Sequence, residues 1–228
     1  MLTPTEQLVF QHLDQFVSAH KKELIEKVLS LRTRYITVVL EDIFQSQNAS
    51  AVIRTCECMG IQDIHIVENI SKYSINPKVL RGANKWVDIH HYASKSENNT
   101  IACIEKLKLK GYKILVTHPG EDGVSIHDID VTDSKQALIF GNELRGVSSE
   151  AIMHADQKVK IPMYGFTESL NISVSAAICL NTMVTKVHDT EMNIGLEPDE
   201  KDSIRLKWYR KVVKKSAIIE REFLRTID

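Results

Sequence analysis

The chain has 228 residues, 43% of them hydrophobic and 26% charged, with a formal net charge of −1. This excludes general disorder and a nucleic-acid-coating basic protein, and a chain of this length buries roughly 70–75% of its unfolded surface without staples. The cysteines, Cys56, Cys58, Cys103 and Cys179, lack paired CxxC spacing and read as reduced core residues rather than a disulfide or zinc set.

Apolar positions at helical spacing, from Leu8, Val9 and Leu13 to Ile25, Val28 and Leu29, predict one or two helices over residues 3–30. The opening "MLTPTEQLVF" has no basic-then-apolar signal pattern, and no apolar run approaches the roughly 18 residues of a spanning helix, so a cytoplasmic location is expected. From Tyr35 the texture changes. The runs "YITVVLE", "IHIVE", "WVDIHHY", "YKILVT", "QALIF" and "VKIP" read as strands, with helices predicted at 48–59, 97–110, 148–155 and 171–187. Strands alternating with helices predict an α/β fold with a mainly parallel sheet flanked by helices. "TEMNIGLEPDE" reads as a linker to a C-terminal amphipathic helix. The expected organisation is a helical extension over 1–34, an α/β domain over 35–190, and a linker with a basic helix over 191–228.

Three stretches carry candidate chemistry. In "QSQNASAVIRTCECMG", Asn48 or Ser46 is placed to cap a helix, and the small residues Ala49, Ser50 and Ala51 leave room for a chain or ligand at its start. Arg54 follows amid Val52, Ile53 and Thr55. An arginine in an apolar helix is costly unless it is paired or faces a functional cleft, so a buried ion pair with Glu41 or Asp42 stands level with a functional role. In "LIFGNELRGVSSEAI", a buried strand meets Gly141, Asn142, Glu143 and Gly146 before a helix capped by Ser148 or Ser149. Glycines there permit positive φ and close approach of a ligand to the backbone, although a plain turn is the commoner reason for them.

The third stretch, "IPMYGFTESLNISVSAAICL", places Pro162 and Gly165 in a loop and Ser169 and Asn171 at a helix start. N–H groups and side-chain oxygens at such a start hold a carboxylate, an adenine edge or a phosphate, or else serve as a plain N-cap. The helix itself has no polar stripe, which predicts burial on every side. Elsewhere, "RLKWYRKVVKK" gathers Arg205, Lys207, Trp208, Arg210 and Lys211, and reads either as a solvated face or as a phosphate-tracking patch with an aromatic for base stacking. His90 and His91 point to opposite faces of a predicted strand, which argues against a shared metal site.

Together and in this order, the three stretches resemble the SpoU/TrmH family of RNA ribose 2′-O-methyltransferases, in the SPOUT superfamily, over residues 36 to about 190. Asn48 and Arg54 match the family's first motif, Phe140, Gly141, Glu143 and Gly146 the second, and Ser169, Leu170, Asn171, Ile172, Ser173 and Val174 the third. "LEDIFQSQNASAVIRTCECMGI", "GANKWVDIH" and "KIPMYGFTESLNISVSAAI" are more similar to the branch that methylates guanosine-18 in the tRNA D-loop than to the ribosomal-RNA branch. Gln45, Ser46 and Gln47 depart from that branch's lysine-proline-histidine.

The resemblance implies a C-terminal trefoil knot, a rare exception to unknotted topology, and a homodimer in which the third-motif helix packs against a second subunit. It implies S-adenosylmethionine in the knot, held by Thr117, Phe140, Gly141, Asn142, Glu143, Gly146, Ile161, Met163, Leu170 and Asn171, and no metal. It also implies a catalytic Arg54. A guanidinium stays protonated, so the expected role is to clamp an RNA phosphate or to stabilise the forming alkoxide. Asn48 is then expected to orient Arg54 or the ribose, Glu143 to hold the pocket through a cation or backbone donors, and Ser169 with Asn171 to shape the cofactor and ribose pocket. RNA would dock on Lys21, Lys22, Arg32, Arg34, Arg205, Lys207, Trp208, Arg210 and Lys211, with an affinity that falls steeply with salt. Methylation of a ribosomal-RNA ribose, or a non-catalytic RNA-binding protein that keeps the knot, are the alternatives.

Overall fold

Residues 36–41, ITVVLE, are buried along their whole length, as a strand covered on both faces must be. The structure, a computed structural model, describes residues 1–120 and 122–227. In chain order they form α1 (Pro4–Asp14), α2 (Ala19–Ser30), β1 (Ile36–Glu41), α3 (Ser46–Cys58), β2 (Asp63–Val67), α4 (Pro77–Leu80), β3 (Asp88–Tyr92) and α5 (Asn99–Leu109). Then follow β4 (Tyr112–Thr117), β5 (Val124–Ser125), β6 (Lys135–Phe140), α6 (Ser149–His154), β7 (Gln157–Lys160), α7 (Ile172–His188), α8 (Pro198–Val212) and α9 (Ser216–Ile227).

The strands make one seven-stranded sheet in the order β3-β2-β1-β6-β4-β7-β5, with every pairing parallel. Side chains alternate across it. Val38, Leu40, Leu115, Leu138 and Phe140 share one core with Val52, Ile53 and Cys56 of α3 and with Ala176, Cys179, Leu180 and Met183 of α7. Val39, Ile114, Val116, Ala137 and Ile139 form a second core with Cys103, Ile104 and Leu107 of α5 and Ala151 of α6. The connection after β1 runs to β2 on one side, and that after β6 runs to β7 on the other. The topological switch therefore lies between β1 and β6, and ligands of open parallel sheets gather outside the strands' carboxyl ends at such a point.

The chain divides into two compact units: Thr33–Ile194, and Met1–Arg32 together with the chain from Gly195 onward. The two terminal extensions, read separately in the sequence, thus share one unit. Within it α1 packs on α8 and α9 and α2 packs on α8, around Val9, Leu13, Ile25, Leu29, Ile204 and Trp208. Among the described residues, no helix is long and apolar enough to cross a membrane.

In the single chain, two burials differ from a helix and a cysteine set covered throughout: one side of α7 and one cysteine are open to solvent. Helix α7 buries one face, Ile172, Ala176, Cys179, Leu180, Met183 and Val187, and leaves Val174 45% exposed in this chain. Its small residues Ser173, Ser175 and Ala177 blur the polar stripe without burying it. The cysteines are all free, and Cys58 is exposed while Cys56, Cys103 and Cys179 are buried. Burial pushes the Cys103 and Cys179 thiols up to about 12, which leaves them inert.

Candidate active site

At the carboxyl ends of β4, β6 and β7 lies a cavity of about 730 Å³, well within the size range of small-ligand sites. Its walls come from Thr117, His118 and Pro119 after β4, the 140–147 turn after β6, Ile161 and Met163 after β7, and Ser169, Leu170, Asn171 and Ile172 at the start of α7. Gln45 and Asn48 close one side.

Two glycines shape the turn after β6. A Cβ on Gly141 would stand 2.2 Å from the backbone of Gly146 and Val147, so the chain can double back there only without a side chain. Gly146 has φ +72°. Asn142 and Gly146 exchange two backbone hydrogen bonds, 2.9 and 2.8 Å, and the Asn142 side chain accepts from the N–H groups of Leu144 and Arg145 at 2.9 and 3.2 Å. The residues between are thereby held out as a small knuckle with Glu143 inward.

Glu143 accepts hydrogen bonds from the N–H groups of Phe44 and Gln45 at 3.1 and 3.4 Å and from Asn48 Nδ2 at 2.9 Å. Asn48 Oδ1 in turn accepts from Asn171 Nδ2 at 3.4 Å. Asn171 caps α7, accepting from the Ser173 N–H at 2.9 Å and the Ser173 hydroxyl at 2.6 Å. One hydrogen-bonded line, Asn171 to Asn48 to Glu143, thus joins three segments far apart in the sequence. By contrast, the stretch 161–170 makes no backbone hydrogen bonds among the described residues. Its N–H and C=O groups remain open beside apolar walls from Val159, Ile161, Met163, Leu170 and Ile172. Such a lining suits a ligand with a flat heteroaromatic edge and an apolar body.

Residues 35–181 match the SpoU rRNA Methylase family. The chain belongs to that family. It is 43% identical over 208 residues to the tRNA (guanosine(18)-2′-O)-methyltransferase of Borreliella burgdorferi, a match covering 91% of this chain and 93% of that one. Its fold matches the A. aeolicus TrmH/SpoU tRNA modifying enzyme with a TM-score of 0.76 at 29% identity, over 89% of this chain and 99% of that one. The SpoU methyltransferase AviRb of Streptomyces viridochromogenes, solved in complex with the cofactor AdoMet, shares the fold at 22% identity and a TM-score of 0.58, over 72% of this chain and 62% of that one.

The family's motif residues meet at the cavity except Arg54 and, on the first turn of α7, Ser173 and Val174. Asn48, Glu143, Ser169 and Asn171 line it, as do Thr117, Phe140, Gly141, Asn142, Gly146, Ile161, Met163 and Leu170. Arg54 does not. It lies exposed on α3, and among the described residues it has no hydrogen bond or ion pair. The expected ion pair with Glu41 or Asp42 is absent because both carboxylates are engaged elsewhere. Buried Glu41 accepts from Thr100 Oγ1 and from the N–H and hydroxyl of Ser148, while Asp42 accepts from the N–H groups of Asn69, Ile70 and Ser71. Asn48 reaches Glu143 rather than Arg54, and the α3 N-cap is Gln45. The small residues of α3 admit protein: the Ser50 hydroxyl accepts the Asn76 N–H at 2.8 Å just before α4.

Most of the expected RNA-docking residues have structural partners. Trp208 is 2% exposed with the buried Arg32 guanidinium 5.4 Å from its ring centre, so the indole is not open to a base. Arg205 pairs with Glu26 and Asp202, Arg210 with Glu220, and Lys22 with Asp14. Arg34 pairs with Asp63 at 3.0 Å and Asp88 at 2.8 Å. Lys207 is half-buried, whereas Lys21 and Lys211 are exposed. His90 pairs with Asp63 at 2.9 Å, and among the described residues no group of three or more His, Cys, Asp or Glu side chains could hold a metal ion. Sequence reasoning missed His118, Pro119, Lys160 and Glu168 in the cavity wall. The "HPG" turn straight after β4 was the available signal for the first two.

Proposed function

We propose that this chain transfers a methyl group from S-adenosylmethionine to the ribose 2′-hydroxyl of guanosine 18 in tRNA, the reaction named for its Borreliella burgdorferi relative. The observation that carries the reading is the Asn171–Asn48–Glu143 line, which brings all three family motifs to one cavity. The cofactor fits that cavity's chemistry. The apolar walls and the open backbone groups of 161–170 suit its adenosine and its methionine chain. When bound, it supplies an electrophilic methyl group.

The chain's own residues then have two tasks. Glu143 and Asn171 fix the two loops that bound the cavity, so that a ribose is held in line with little freedom left to lose, and such orientation contributes several kcal/mol in general. Arg54, exposed and without a partner among the described residues, is suited to meet an RNA phosphate, whose oxygen accepts the 2′-hydroxyl proton, or to stabilise the alkoxide as it forms. Exposed Lys21 and Lys211 add sequence-independent attraction for the RNA backbone.

The same reading includes a homodimer and a trefoil knot formed by the chain between β7 and α7. Val174, 45% exposed on the small-residue first half of α7, supports the first, and family membership supports the second. The family's own description as rRNA methylases favours ribosomal RNA as a second substrate class. Labelled methyl transfer from S-adenosylmethionine to unmodified tRNA and to ribosomal-RNA fragments, side by side, separates the two. Incorporation into tRNA alone is expected, and incorporation into ribosomal RNA alone would overturn the tRNA assignment.

A further inference from the structure

The 142–146 knuckle has two sides, and the methyl-transfer cavity occupies only one. On the other is a cleft of about 510 Å³ at the β1/β6 switch point, lined by Phe44, Ile70, Lys72, Leu144 and Arg145 above Glu41 and Asp42. The two sites share the knuckle residues Asn142, Leu144, Arg145, Gly146 and Val147.

Three large apolar side chains stand open to solvent in this one cleft: Phe44 and Ile70 are each 70% exposed and Leu144 is 87% exposed. Packing does not require them there. Two cations stand beside them at the surface. Lys72 and Arg145 are exposed, and among the described residues neither side chain has an ion pair or hydrogen bond. The two acids at the floor keep their charge, but Glu41 is buried beneath Thr100 and Ser148 and Asp42 is turned to the N–H groups of residues 69–71, whereas the two cations are exposed.

Asp42 also holds the cleft's two walls in register. It sits in the left-handed region at φ 50°, its carboxylate fixes the 69–71 segment, and its carbonyl accepts from Asn142 Nδ2 at 2.7 Å. The cleft is therefore a preformed surface, continuous with the reaction cavity, that offers an aromatic face beside two cations.

We infer that this cleft receives a nucleotide of the RNA strand next to the one being methylated, its base lying on Phe44 between Ile70 and Leu144 and its phosphate meeting Lys72 and Arg145. The inference rests on the methyltransferase reading above. An aromatic face takes any base, and two unpaired cations take any phosphate, so the cleft holds the strand without reading its sequence.

The test uses the full-length protein, S-adenosylmethionine and an unmodified tRNA transcript, with cofactor affinity measured in parallel. Phe44→Ala is expected to raise the KM for tRNA about ten-fold, with kcat and cofactor affinity within two-fold, while Phe44→Trp keeps the wild-type KM. Lys72→Ala should lower the salt dependence of log KM by about one unit of slope, as loss of a phosphate contact does. An unchanged KM in Phe44→Ala overturns the inference. So does a change in sedimentation behaviour in that variant, which would make the cleft an interface between copies of the chain. A wild-type protein that methylates no RNA would instead defeat the underlying reading, and the inference with it.

Discussion

Arg54 follows the buried pair Val52 and Ile53 on α3 and is itself exposed. Successive helical residues turn by about 100°, so a cation flanked by apolar neighbours in the sequence need not share their burial. That is why an internal ion pair looked plausible from the sequence and is not present. If Arg54 acts on the RNA, Arg54→Ala should lower kcat by about 10²-fold or more, the usual cost of losing one charge-stabilising donor. Cofactor affinity should stay within about two-fold, because Arg54 does not line the cavity; a variant that kept most of its kcat would remove Arg54 from the mechanism. Asn48 was legible as a site residue but not in its role. Its partner Glu143 lies 95 positions away, and no local pattern encodes so distant a contact. Trp208 was misread for a simpler reason. It lies four residues after Ile204 on the buried face of α8, and helical spacing should have outweighed the surrounding basic residues.

At the scale of elements, the strands β1, β4 and β6 were legible because burial on both faces leaves continuous apolar runs. The two-residue β5 was not, since "VS" carries no pattern and among the described residues it pairs only with β7. The turn after β6 was legible through its glycines, and there Gly141→Ala should be severe. The new methyl group would meet the backbone 2.2 Å away, so a stability loss of about 2 kcal/mol or more by denaturant titration is expected, with weakened cofactor binding. A variant with wild-type stability and cofactor affinity would show that the turn is not held as described. Helix α7 carries the prediction for assembly. Val174→Asp, on the exposed side, should yield monomers in sedimentation while leaving the far-ultraviolet spectrum unchanged; a persistent dimer would place the interface elsewhere.

For the whole molecule, the alternation of strand and helix was enough to read an α/β parallel sheet, and the motif order was enough to place the cavity. The cleft behind the knuckle was not legible, because Phe44, Ile70, Lys72, Leu144 and Arg145 come from three connections with no shared pattern. Stability against pH is also a property of the whole fold. His65 is buried, and desolvation, reinforced by the stacked His90 ring 4.7 Å away, pushes its pKa from 6.5 down to about 3. Between those values the unfolded chain binds a proton that the folded one refuses, so this contribution is full above pH 6.5 and is lost as pH falls toward 3. The melting temperature of the wild type should accordingly fall more steeply than that of His65→Gln between pH 7 and 4, and parallel curves would refute the assignment. The central claim, methylation of a tRNA ribose at the motif-lined cavity, is tested most directly by methylating an unmodified tRNA transcript and mapping the modified nucleotide by nuclease digestion and mass spectrometry. A single 2′-O-methylguanosine at position 18 is the result the account predicts. Methyl incorporation on a base, or at riboses scattered along the chain, would contradict it.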